Sequence, residues 1–297
     1  MKLCVAHLVR KQNGVEPVRR FVESYVQYSA GVDHELVLLL KGFDRAENAA
    51  SVLEAAGDAA ASSLFLPDVG YDVGAYFSAV RELPHDVFCF VNSFSRILAD
   101  GWLRSLVGPL DDGGVGAVAA TGSWASSRTF WVWALGLPSA YDELTPERPS
   151  RSVVRERLGA AHRLLRTWPH HAPFPAPHLR TNAFAAQRAV LERIRVGAIA
   201  TKDDAYRFES GSRGLTPQVL AMGLEVLVAG RDGMTYARDE WWKSNTLWQR
   251  QQENLLVADN QTEDYRRSDF RRRKNLSVFA WGPRAAPEPP PDTVAAR

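Results

Sequence analysis

Between Leu66 and Leu98 the chain reads LPDVGYDVGAYFSAVRELPHDVFCFVNSFSRIL, with its chemically capable residues near the two ends. Asp72 stands in a Gly- and Asp-rich loop ahead of a helix-like segment. Its carboxylate can accept hydrogen bonds from a bound ligand or cap the helix that follows. Asp68, after Pro67, reads as a turn residue. At the far end an apolar run, Val87 to Val91, breaks abruptly into Asn92-Ser93-Phe94-Ser95. Asn92, Ser93 and Ser95 can donate hydrogen bonds to phosphate oxygens or ligand hydroxyls, or simply close a strand. Further on, Arg180-Thr181-Asn182 offers a guanidinium suited to bidentate contact with a diphosphate, or to a surface salt bridge.

The surrounding pattern says how such residues would be positioned. Lys2 to Val9 predicts a strand with His7 near its end. Glu16 to Ala30 carries Val18, Phe21, Val22, Tyr25 and Val26 at helical spacing. Strands follow at Glu35 to Leu40, Ser63 to Leu66 and Val87 to Val91, separated by helices over Asn48 to Ala60 and Val73 to Arg81. This βαβαβαβ order predicts an α/β fold with a mostly parallel, doubly wound sheet flanked by helices. Such sheets bind ligands outside the carboxyl ends of their strands, where Asn92-Ser93-Phe94-Ser95 falls.

Beyond it the sequence predicts a helix from Trp102 to Leu110 and a strand from Val115 to Ala120. Residues 124–178 read as an irregular insertion or lid, rich in Trp and Pro. Leu179 to Ala186 reads as a strand leading into a helix over Arg188 to Arg195. A helix carrying Leu215, Val219, Leu220 and Met222 then ends at Gly223, before the strand Val226 to Ala229. A C-terminal extension, 236–282, holds Trp241, Trp242 and Trp248, the polar loop Asp259-Asn260-Gln261-Thr262, and Arg271-Arg272-Arg273-Lys274. Residues 1–282 are expected to form one domain, and 283–297, dominated by Pro and Ala, a disordered tail.

Composition narrows the classes. A formal net charge of +2 over 297 residues gives no argument for a nucleic-acid partner. The two cysteines, Cys4 and Cys89, lie in apolar runs and read as buried free thiols rather than zinc ligands. No apolar run reaches the roughly 18 residues of a membrane span. The start, MKLCVAHLVR, is too soon charged for a signal peptide, so a cytoplasmic location is expected. No GxGxxG follows the first strand and no GxxxxGK[ST] occurs, which argues against dinucleotide and P-loop sites.

Three segments, taken in order, resemble GT-A type nucleotide-sugar glycosyltransferases, and more narrowly the rhamnan-synthesis-F-like bacterial cell-surface polysaccharide enzymes. They are GYDVGAYF with FCFVNSFSRIL, then HLRTNAFAAQRAVLERI, then FESGSRGLTPQVLAMGLEVLVAGRDG. The likeness runs over roughly residues 1 to 235. It implies a GT-A-like fold, a nucleotide-sugar donor, and a saccharide or lipid-linked acceptor in cell-surface glycan synthesis, with peripheral membrane contact. It also implies Glu209 as the base of an inverting transfer, and His7, Asp72, Asn92, Ser93, Ser95, Arg180 and Asn182 as donor-binding residues. In the family a DxD motif at the strand end holds a divalent metal, Mg2+ or Mn2+. Here that position has no carboxylate, and neutral Asn and Ser are poor partners for such hard cations.

Each residue also has a plainer reading. Glu209 could be a carboxylate opening a helix and facing its dipole, with Asp203 and Asp204 as alternative bases or solvated loop charges. His7 could be structural. The run Arg271 to Lys274 reads as a solvated basic face, or as a contact for a diphosphate or anionic membrane. Most tryptophans are expected in the core, with one or two of Trp124, Trp241 and Trp242 near an acceptor. The missing carboxylates leave open a non-catalytic nucleotide-sugar-binding module. A nucleotidyltransferase would want a Gly-rich basic loop after the first strand, where HLVRKQNG has one glycine.

Overall fold

Four apolar runs form the parallel half of the sheet, as the sequence predicts. In this computed structural model, which describes residues 2–145 and 153–290, they are β1 (Leu3–Arg10), β2 (Glu35–Lys41), β3 (Ser62–Leu66) and β4 (Val87–Val91). They are joined by α1 (Glu16–Gln27), α2 (Ala50–Ala56) and α3 (Tyr71–Glu82). β1, β2 and β4 are buried on both faces, which is why they read as continuous apolar runs.

The chain continues through β5 (Arg96–Ile97), α4 (Trp102–Val107), β6 (Val115–Ala119), β7 (Gly122–Ser123), α5 (Ser127–Ala134) and α6 (Val153–Thr167). Then come β8 (His178–Leu179), β9 (Ala183–Gln187), α7 (Arg188–Leu191), α8 (Lys202–Ser210), α9 (Leu215–Ala221) and β10 (Glu225–Ala229). β11 (Thr235–Tyr236), β12 (Val257–Ala258), α10 (Asn260–Arg267) and α11 (Phe270–Trp281) complete the described elements longer than a 3-10 turn. The eight-stranded sheet runs β11-β10-β6-β9-β4-β1-β2-β3. All its pairings are parallel except those of β9 and of the edge strand β11.

Strand alternation sorts the core into two layers. Leu3, Val5 and Val9, with Leu36, Leu38, Val87 and Cys89, pack with Phe21 and Trp102 under α1, α2 and α4. Cys4, Ala6 and Leu8, with Val37, Leu39, Phe88 and Phe90, pack under α3, α7, α8 and α9. Both cysteines are buried free thiols. Each large apolar side chain removed from water this way contributes about 1.5–3 kcal/mol.

The structure departs from the expected elements in several places. Leu179 to Ala186 is not one strand: it breaks at Arg180–Asn182, and β9 then runs antiparallel to both β4 and β6. The insertion is not irregular, because α5 is N-capped by Ser126, whose Oγ accepts from the Thr129 N–H at 3.1 Å, and α6 follows. Pro146 and Pro149 lie outside the described residues. Asp259 to Thr262 is no loop; Asp259 caps α10 in a reciprocal capping box with Thr262. The expected tail is ordered as far as it is described: Arg250 N–H donates to Ala286 O at 2.8 Å, and a bridge pairs Arg250 with Pro287. Residues 291–297 lie outside the described ones.

The basic run is a solvated face only in part: Arg271 and Arg272 are exposed, but Arg273 is not. Arg273 is fully buried, donates to Gln251 Oε1 and to the carbonyls of Glu288 and Arg266, and lies over the Tyr265 ring. Arg272 pairs with Asp264 at 2.7 Å and Lys274 with Glu143 at 3.8 Å. No described helix is long and apolar enough to cross a membrane.

Candidate active site

The reversal of β9 brings the distant segments together. Val91 stands opposite Ala183 in the β4–β9 register, so the residues just before β9 sit at the carboxyl edge of β4. Asn92 N–H donates to Asn182 O at 2.9 Å there. A cavity of about 340 Å³ opens at this edge on the α3 side of the sheet, floored by Leu8, Asn92, Ser93 and Thr181. Asp72 enters it from α3, Asn260 and Gln261 from the start of α10, and Lys202, Ala205, Tyr206 and Glu209 from α8. Those four α8 positions follow the i, i+3, i+4, i+7 spacing of one helix face.

Glu209 does not open a helix, as expected, but sits in the last turn of α8. A negative charge there opposes the helix dipole by about 0.3–1 kcal/mol. It is held instead by Thr181, whose N–H (2.9 Å) and hydroxyl (2.5 Å) both donate to Glu209 Oε2. Among the described residues Oε1 has no protein donor. The chain after α8 turns tightly: a Cβ at Gly211 or Gly214 would lie 2.3 Å from the carbonyl oxygen of Arg207 or Phe208 respectively.

Asp72 is not the N-cap of α3; that position is Gly70, and Asp72 is one residue inside the first turn. Gly70 (φ 73°) and Tyr71 (φ 53°) are both left-handed, a conformation that strains the tyrosine. The Tyr71 carbonyl accepts from Lys41 Nζ at 2.5 Å, and Asp72 Oδ1 accepts from the Val73 N–H at 3.0 Å. Asp72 Oδ2 lies 3.5 Å from the Thr181 hydroxyl, so Asp72 and Glu209 converge on one side chain. Burial, and then the charge of Glu209, push the Asp72 carboxyl above its ordinary range.

Two cations line the cavity, Arg10 and Lys202. Arg10 ends β1 and stands in register beside Lys41, the end of β2. Asp68 is their shared counter-ion, 3.3 Å from Arg10 and 3.5 Å from Lys41. Arg10, Lys41 and Asp68 also line an adjoining cavity of about 570 Å³. Asp203 and Asp204 do not reach the first cavity: Asp203 pairs with Arg166 and Asp204 completes the Thr201 capping box.

The other expected donor-binding residues separate. Asn92 and Ser93 line the cavity, whereas Ser95 is buried beside it, on a neighbouring cavity of about 490 Å³. His7 points away: odd-numbered β1 residues face α1, and its ring stacks on Phe21 with centroids 3.8 Å apart. Burial lowers its pKa to about 3, leaving it neutral. Arg180 is buried and spent on Asp259 at 2.7 Å, and Asn182 Oδ1 accepts from the Thr121 hydroxyl at 2.9 Å. Neither lines the cavity. Nor do the tryptophans: Trp241 is fully buried, Trp124 packs on Trp281, and Trp242 sits with Lys243 and Arg284. The aromatic rings at the cavity are Tyr71, Phe94 and Tyr206. Phe94 is 47% exposed and also lines the 490 Å³ cavity.

The residues at the end of β4 do not fit a divalent metal. Asn92 Oδ1, the oxygen nearest in kind to a metal ligand, already accepts from the Phe94 N–H and Ser95 Oγ, each at 3.1 Å. The turn contributes no carboxylate. Among the described residues no group of three or more His, Cys, Asp or Glu side chains is placed to hold a metal ion.

No family model matches the chain, and no curated protein matches it. Solved structures do. A mannosyltransferase from Pyrobaculum calidifontis, in complex with GDP-Man and Mn2+, aligns over 80% of this chain at 15% identity and a TM-score of 0.44. The match covers 56% of that enzyme, so this chain spans just over half of its length. Glucosyl-3-phosphoglycerate synthase from Mycobacterium tuberculosis, with Mn2+, UDP and phosphoglyceric acid, matches 76% of this chain and 68% of its own at 14% identity, TM-score 0.41. A CMP:2-keto-3-deoxy-manno-octonic acid synthetase complexed with CTP matches 77% and 89% at 12% identity, TM-score 0.38. At these scores the likeness carries no functional argument; the site's own geometry has to supply it.

Proposed function

We propose that the chain is a GT-A-like glycosyltransferase that moves a sugar from a nucleotide-sugar donor to a saccharide or lipid-linked acceptor in cell-surface glycan synthesis. The observation that carries this reading is the fixed Glu209 carboxylate. It is oriented by two donors from Thr181 to one oxygen, and Glu209 lines a polar cavity at the carboxyl edge of a parallel sheet.

In an inverting transfer an acceptor hydroxyl oxygen attacks the anomeric carbon while its proton passes to Glu209. The bond from that carbon to the phosphate oxygen breaks, and its electron pair leaves with the nucleoside diphosphate. A positioned general base contributes about 10²–10⁴ in rate. Asp72, desolvated beside Glu209 at the Thr181 hydroxyl, accepts a hydrogen bond from a donor hydroxyl.

Thermal unfolding with a panel of nucleotide sugars tests this reading, because a ligand that binds only the folded state stabilises it by RT ln(1 + [L]/Kd). At least one nucleotide sugar is expected to raise the melting temperature in a concentration-dependent way. A flat response across the panel contradicts it.

A further inference from the structure

We propose that the nucleoside diphosphate is held here without a divalent metal, its charge met by Lys202 and Arg10. The proposal rests on the nucleotide-sugar reading and goes beyond it by assigning the counter-charge.

A diphosphate entering a partly desolvated cavity needs compensating positive charge. The strand-end turn that would carry metal ligands is closed on itself, with Asn92 Oδ1 occupied by Phe94 and Ser95. The carboxylates lining the cavity are Asp72 and Glu209, and both lean on Thr181. Positive charge comes from elsewhere. Arg10 and Lys41 end adjacent parallel strands in register and both lie against the Asp68 carboxylate, with Arg10 also lining the cavity. Lys202 is exposed and lies on the same α8 face as Glu209. Seven residues of helix, about 10 Å, separate the two. Among the described residues no side chain pairs with Lys202. The first residues of α10, Asn260 and Gln261, add a helix N-terminus to the same wall. Its cap, Asp259, is balanced by the buried Arg180.

Isothermal titration with UDP, GDP and dTDP, in EDTA and then in Mn2+, tests the proposal. At least one diphosphate is expected to bind in EDTA, with Mn2+ changing its Kd by less than about threefold. Lys202→Ala is expected to weaken that diphosphate about tenfold, the loss of one charge-assisted contact, and the matching monophosphate by less than about threefold. Lys202→Arg restores binding. Arg10→Gln, with its folding checked by thermal melt, is expected to weaken the diphosphate by a similar factor. Binding that requires Mn2+, or that Lys202→Ala leaves unchanged or weakens equally for mono- and diphosphate, overturns the proposal. No binding of any of the three nucleotides, with or without Mn2+, overturns the nucleotide reading itself and this proposal with it.

Discussion

Thr181 holds Glu209 twice, donating both its backbone N–H and its hydroxyl to the same carboxylate oxygen, Oε2. The N–H bond survives any side-chain change, so the hydroxyl is the adjustable half of the clamp. Thr181→Val keeps the volume and removes that donor. The expected result is a fall in kcat of about tenfold, as one hydrogen bond to a charged group is lost, with KM little changed and Thr181→Ser restoring the rate. An equal effect on KM would mean that Thr181 serves substrate binding rather than the base.

Asp72 makes the protein less stable at neutral pH. A carboxyl whose pKa is raised on folding binds more protons folded than unfolded. Stability therefore falls as pH rises from the ordinary value of 3.8 through the raised one, and is not regained above it. Asp72→Asn retains an acceptor for the Val73 N–H and removes the charge. Its melting temperature is expected to exceed that of the wild type near about pH 7, with the advantage vanishing below about pH 4. Turnover is expected to drop, the usual trade at a site kept for function. A variant with the same melting temperature at both pH values would contradict this account.

Arg180 and Asp259 are a structural pair, and their loss should register in stability. The ion pair is 2.7 Å long, with side chains 7% and 1% exposed. Asp259→Asn can still cap α10 but leaves the guanidinium buried without its counter-charge, which costs about 3–5 kcal/mol. Glu16→Gln breaks an exposed pair with Arg20 and should cost under about 0.5 kcal/mol. Denaturant midpoints measure both. Similar small shifts for the two would show that Arg180 is not a structural residue.

The parallel half of the fold was legible because buried strands announce themselves as unbroken apolar runs, as in Glu35–Lys41. The same feature hid the orientation of His7. A strand buried on both faces shows no alternation, so nothing in LCVAHLVR tells which face meets the cavity. Arg10 and Lys41 were legible in principle, as cations closing apolar runs at strand ends. The spacing of Lys202, Ala205, Tyr206 and Glu209 also marks one helix face. Arg180 could not be resolved from sequence, because its partner lies 79 residues away and only the reversed β9 brings them together. Asp259-Asn260-Gln261-Thr262 passed for a loop because the reciprocal cap uses Thr where Glu or Gln is the usual signal.

Whether Glu209 takes the acceptor proton in a glycosyl transfer is decided by comparing wild type with Glu209→Gln. Release of nucleoside diphosphate from the best-stabilising nucleotide sugar would be followed, with binding of that nucleotide sugar measured in parallel. The wild type is expected to turn over, and Glu209→Gln to lose about 10²–10⁴ in kcat with donor affinity retained. Undiminished turnover in Glu209→Gln, or no turnover of any donor by the wild type, would contradict that role.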